Sequence, residues 1–232
     1  RCEELLGQVL KHRPDLREKV WIQSKCGIRI EEFTYFDFSK DYILESVDGI
    51  LERLQVDYLD SLLLHRPDTL MEPEEVAKAF SKLKESGKVR YFGVSNHNGA
   101  QIDFLQSYLD EPLVANQMEL SLLQSNLIDE GLNVNSLVNP LDYRSQGTLE
   151  YCRHHQITLQ AWSPLAGGSL TKEEVSSEHE EMIKLIQLYA NEYGVSREAI
   201  MVAWLLRHPA QIQPIVGTKT PARLQAICEA MK

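Results

Sequence analysis

The sequence predicts an α/β fold, a (β/α)8 TIM barrel, on three observations. Six short apolar runs read as buried strands. Amphipathic helical stretches separate them, and strands joined by helices pair in parallel. No Gly-x-Gly-x-x-Gly follows any strand, which argues against an open dinucleotide-binding sheet.

The runs are KVWIQSK (19–25), DYLDSLLLH (57–65), KVRYFGVSN (88–96), PLVANQMEL (112–120), ITLQAWSPL (157–165) and QPIVGTK (213–219). Between the first two, Ile43, Val47, Ile50, Leu51 and Leu54 mark one face of a helix over 40–54, with Ser39 placed to cap it. A second helix spans 73–86. Pro73, Glu74 and Glu75 suit its start, Val76, Ala79, Phe80 and Leu83 form its stripe, and Gly87 ends it. Asn98 opens a third, with Ile102, Leu105 and Leu109 inward. Further helices are expected over 147–155, over 179–193, from Ser196 to before Pro209, and from Thr220-Pro221 onward. Segments 26–39 and 121–146 read as long loops, a length that usually goes with function.

No linker or low-complexity stretch divides the 232 residues, so residues 1–232 read as a single barrel domain. No apolar run reaches the length of a membrane span, and no membrane partner is expected. The net charge of −10, with no cluster of Lys and Arg, argues against nucleic acid as a partner. Cys2, Cys26, Cys152 and Cys228 stand far apart without a CxxC pair; no metal site is expected, and free thiols fit a cytoplasmic setting.

Barrel chemistry gathers at the C-terminal ends of strands, and here those ends are polar. They carry Ser24-Lys25, His65, Ser95-Asn96, Asn116-Gln117, Trp162-Ser163 and Gly217-Thr218-Lys219. A lysine lowers the pKa of a nearby acid, and a histidine orients a carbonyl. Ser, Asn and Gln hydrogen-bond an amide, and an indole offers a stacking face. Gly217-Thr218 before a helix start, with Lys219 and Arg223 beside it, suits an anion. A ligand with an amide, an aromatic ring and phosphates is a nicotinamide dinucleotide.

The runs VDYLDSLLLHRPD, GKVRYFGVSN, NQMELS, QAWSPL and PIVGTKTPARL, in this order, resemble the aldo-keto reductase superfamily, most closely its bacterial oxidoreductase branch. The resemblance implies NADPH-dependent reduction of an aldehyde or ketone, a small-molecule carbonyl substrate, and an Asp, Tyr, Lys, His tetrad. It assigns Lys25 and His65 to the last two places. It places Ser95, Asn96 and Gln117 on the nicotinamide carboxamide and Trp162 against the ring. Ser163, Leu165 and Gly167 fall along the pyrophosphate, and Gly217, Thr218, Lys219 and Arg223 near the adenosine 2′-phosphate.

The chain also departs from the family. Gly217-Thr218 replaces a common Lys-Ser, Ile227 replaces an adenine-contacting amide, and His97 replaces Phe or Tyr, so NADH is also admitted as a cofactor. The family's Asp and Tyr lie in a segment like DTAxxYG, before a helix resembling CEELLGQVLK. No such segment occurs here, and Tyr35, Tyr42 and Tyr58 do not match its position. The six strands are therefore expected to be strands three to eight. The natural protein is expected to continue beyond this chain at the N-terminus, and at the C-terminus beyond CEAMK. The chain alone is expected to be inactive. The alternative is a cofactor-binding regulatory or interaction module.

Overall fold

The computed structural model describes residues 2–134, 146–171 and 177–231. It divides into two compact units, Arg1–Asn116 and Gln117–Lys232.

In the first unit, helix α1 (Cys2–His12) and a 3-10 turn (Pro14–Lys19) precede strand β1 (Gln23–Cys26). A short hairpin follows, β2 (Ile28–Ile30) and β3 (Thr34–Phe36). Then come α2 (Lys40–Leu54), β4 (Leu59–Leu64), α3 (Pro73–Glu85), β5 (Val89–Ser95), α4 (Gly99–Gln106) and β6 (Leu113–Glu119). The sheet order is β1-β4-β5-β6. β1 pairs with β4 and β4 with β5, both in parallel, with Lys25 opposite Leu63 and Leu63 opposite Gly93. β4 is buried at all six positions, as expected of a parallel strand covered on both faces. Phe80 of α3 stacks on Phe92 of β5 with ring centroids 4.0 Å apart. Gly93 permits the tight fit on the other face. A Cβ there would come within 2.6 Å of both the Ala115 carbonyl oxygen and Leu63 Cδ2.

At the start of β4 a charged cluster takes the place of apolar packing. Asp60 accepts from the Ile22 amide at 2.8 Å and from Arg17 Nη1 at 3.0 Å, and Arg90 Nη1 lies 3.3 Å away. The guanidiniums of Arg17 and Arg90 each lie 3.8 Å from the centroid of the Tyr58 ring. A carboxylate that is almost wholly buried is thus matched by two cations and an amide, the condition under which burial of charge is tolerated.

In the second unit, the last residues of β6 lead to α5 (Asn126–Leu132), α6 (Thr148–His154), β7 (Thr158–Trp162), α7 (Glu180–Tyr193), α8 (Arg197–Leu206), β8 (Gln213–Ile215) and α9 (Pro221–Cys228). Its strand order is β6-β7-β8, with β7 and β8 parallel. Leu170, Ile186 and Met201 form a core against which Leu165 packs.

The expected strands and helices are all present, with shifted ends. The segment 26–39 holds a hairpin where a loop was expected. Its turn, Glu31-Glu32-Phe33, lacks the Asn-Gly or Asp-Gly that announces one. The segment 121–146 contains α5, and residues 135–145 of it lie outside the described residues. Asn98 makes a full capping box with Gln101, and Ser196 caps α8 through the Ala199 amide. Ser39 sits at the start of α2, but its side chain makes no capping bond. Instead its own amide donates to Asp37 Oδ1 at 2.9 Å.

Candidate active site

In the first unit the parallel register of β1 and β4 sets two of the expected residues side by side. Lys25 is opposite Leu63, and the His65 amide donates to the Cys26 carbonyl at 2.9 Å. Lys25 and His65 line one cleft of about 600 Å³, with Ile28, Tyr42 and Gly49 among its walls. Burial lowers the pKa of Lys25. His65 is lowered too, first by burial, then by the positive charges of Lys25 and Arg66. The imidazole is therefore held toward its neutral form, able to donate one N–H to an oxygen. Cys26, in the same wall, has its thiol pushed up to about 12 by burial and is no nucleophile. The Tyr42 hydroxyl donates to the Ile28 carbonyl at 3.0 Å, and the Arg29 guanidinium lies 4.2 Å from its ring centroid.

Ser95 ends β5 in the same unit and Asn96 follows it. Asn96 has φ +62°, a left-handed conformation that non-glycine residues seldom adopt and that turns its amide back. Its Nδ2 donates to Ser95 Oγ at 2.8 Å and approaches the His65 carbonyl at 3.4 Å. Beneath them His97 is buried, with Nδ1 2.9 Å from the Ser95 carbonyl, and its own carbonyl accepts from Asn116 Nδ2 at 2.8 Å. Burial drops the His97 pKa to about 4, against the smaller upward pull of the Ser95 carbonyl.

In the second unit, Gln117 donates through Nε2 to Gln160 Oε1 at 3.0 Å. Gln160 donates in turn to Gln213 Oε1 at 2.9 Å. The amides form a ladder across the three strands. Trp162 is half-buried at the end of β7, its carbonyl accepting from the Leu120 amide. The next turn is strained. Ser163, Ala166, Gly167 and Gly168 all have positive φ, and Ser163 Oγ accepts from the Gly167 amide at 3.2 Å. Nothing would meet a Cβ at Gly167 within 4 Å, so open space lies beside the turn. The backbone amides of Ala166, Gly167, Gly168 and Ser169 all donate within the turn, to Ser163, Leu165 and Ala166.

Gly217 and Lys219 are exposed, and Thr218 Oγ1 accepts from the Thr220 amide at 3.1 Å. Arg223 lies in the first turn of α9, but its described partner is Glu198, with Nε 3.2 Å from Oε1. Two further residues join the site beyond those the sequence marks, Gln160 in the amide ladder and Glu198 beside Arg223. Gln160 was legible as the residue two before Trp162, on the same face of its strand; Glu198, on a different helix, left no local signal.

The amide ladder, the indole and the basic helix start are of the kinds that meet the carboxamide, the ring and a phosphate of a nicotinamide dinucleotide. Residues 1–232 match the aldo/keto reductase family from end to end, and the chain belongs to that family. Among its relatives is YcsN of Bacillus subtilis, described as an uncharacterized oxidoreductase, 42% identical over 99% of this chain and 74% of the relative. The 6-dehydroglucose reductase of Agrobacterium fabrum is 36% identical, over 100% of this chain and 73% of its own. Among solved structures, a thermostable aldo-keto reductase, Tm1743, in complex with the inhibitor epalrestat, superposes with a TM-score of 0.75. It is 27% identical, over 99% of this chain and 71% of that one. Among the described residues no helix is long and apolar enough to cross a membrane.

Proposed function

We propose that the protein reduces a small aldehyde or ketone with NADPH. The observation that carries this is the meeting of Lys25 and His65 in one cleft at the ends of adjacent parallel strands, with the charge of one lowering the pKa of the other. The bound nicotinamide supplies the hydride. His65, kept neutral, donates a hydrogen bond to the carbonyl oxygen and orients it. Lys25 holds down the pKa of the hydroxyl that delivers the proton. Ser95, Asn96 and Gln117 bind the carboxamide, and Trp162 stacks on the ring. Ser163, Leu165 and Gly167 line the pyrophosphate. Gly217, Thr218, Lys219 and Arg223 take the 2′-phosphate, which favours NADPH over NADH.

In this reading residues 1–232 belong to one barrel domain of a cytoplasmic enzyme, and the six parallel strands correspond to strands three to eight. The family's proton donor belongs to a DTAxxYG-like segment that these 232 residues do not contain. A polypeptide of these residues alone should therefore bind cofactor with little turnover. The second reading is a cofactor-binding regulatory or interaction module, which would rest on the carboxamide-binding residues Ser95, Asn96 and Gln117 without turnover.

The test pairs NADPH titration, followed by fluorescence, with NADPH oxidation against a simple aldehyde. Micromolar binding with oxidation, once the DTAxxYG-like segment is supplied, supports the reductase. Binding without oxidation even then supports the module, and no binding removes both.

A further inference from the structure

The ion pair at the start of α9 is asymmetric. Glu198 belongs to the first turn of α8, and its side chain is only 16% exposed, against 48% for Arg223. The turn beneath it is fixed, because Ser196 Oγ accepts from the Ala199 amide at 3.1 Å and Ala199, Met201, Val202 and Leu205 are buried. The carboxylate is thus the anchored partner and the guanidinium the one that reaches in. It is approached at Nε, 3.2 Å from Oε1. A guanidinium carries five N–H donors in a planar fork. A carboxylate at the Nε edge leaves the far edge, with the Nη donors, for a second anion.

We propose that Glu198 is a specificity-determining positioning residue. It holds the Arg223 fork in the orientation that receives the phosphate monoester of a 2′-phosphorylated nucleotide. This rests on the reading of Arg223 given above. Two effects oppose each other. Anchoring spares the cofactor the ordering of a long, half-exposed side chain, worth roughly three- to tenfold in affinity. The carboxylate also repels the phosphate, but its charge is already matched by Arg223, and near the surface water and salt screen the remainder. Ordering therefore wins.

The experiment titrates NADPH and NADH into the protein and its variants and compares Kd. Glu198→Ala should weaken NADPH roughly three- to tenfold and NADH less than about twofold. Glu198→Gln, which keeps the shape of the side chain but loses the charge that holds Arg223, should weaken NADPH about as much as Glu198→Ala does. Unchanged or tighter NADPH binding by Glu198→Ala would overturn the proposal, and so would equal weakening of both cofactors. Arg223→Ala separates the two levels. If it selectively weakens NADPH while Glu198→Ala does not, the positioning role alone falls. If it has no effect on NADPH, or the parent binds neither cofactor, the reading of Arg223 falls and the positioning role with it.

Discussion

Acid should destabilise this protein through His97. The ring is 2% exposed and its pKa is dropped from 6.5 to about 4. In the unfolded chain the same imidazole takes its proton near 6.5. Between these values the unfolded state binds more protons, so stability rises with pH across the window. The contribution is complete above pH 6.5, is lost as pH falls, and is gone below 4. Its full size is roughly 3 kcal/mol, and about 2.5 kcal/mol should already be lost at pH 4.5. Urea unfolding followed by circular dichroism from pH 7.5 to 4.5 measures this. Other groups titrate nearby, so the decisive quantity is the difference between the parent and His97→Phe. Phenylalanine fills the site but cannot take a proton. It also leaves the Ser95 carbonyl without the Nδ1 bond, a constant offset of about 1 kcal/mol. The difference curve should slope by about 2.5 kcal/mol over that range. A curve flat to about 0.5 kcal/mol would show that the buried ring is not held neutral.

Three further outcomes are expected. Asp60→Ala leaves the Arg17 guanidinium, only 13% exposed, without its carboxylate; the cost should be about 3–5 kcal/mol, read in thermal melts. Gly93→Ala forces a Cβ against the Ala115 backbone and should cost about 1–3 kcal/mol in urea unfolding, with little change in far-ultraviolet dichroism. Lys25→Met removes a charge that lowers the His65 pKa, so the imidazole should titrate higher by NMR while NADPH affinity stays within about threefold. An unmoved His65 titration would separate the two residues.

The sequence displayed its strands because they are buried and short. SLLLH reads as a covered strand that stops at a polar rim, and Leu62, Leu63 and Leu64 lie in the core with His65 at the cleft. Helix starts at Asn98 and Ser196 were legible because capping is a local matter of side chain and amide. The hairpin at 28–36 escaped because its turn uses Glu and Phe, residues with no strong turn preference. In the candidate site, residues at strand ends could be named one at a time. Their partners could not. The Gln117–Gln160–Gln213 ladder depends on register between strands, and the Glu198–Arg223 pair on how α8 meets α9. Neither relation is written in any single stretch of chain.

The buried, protonated thiol of Cys26 makes this chain a convenient object for site-directed labelling. Maleimides and similar reagents attack thiolates in reach of solvent. Cys26 and Cys152 are buried, while Cys2 and Cys228 are exposed. One exposed cysteine lies in each compact unit. A donor and acceptor dye pair on Cys2 and Cys228 would therefore serve as a spectroscopic ruler between the first and last helices of the chain.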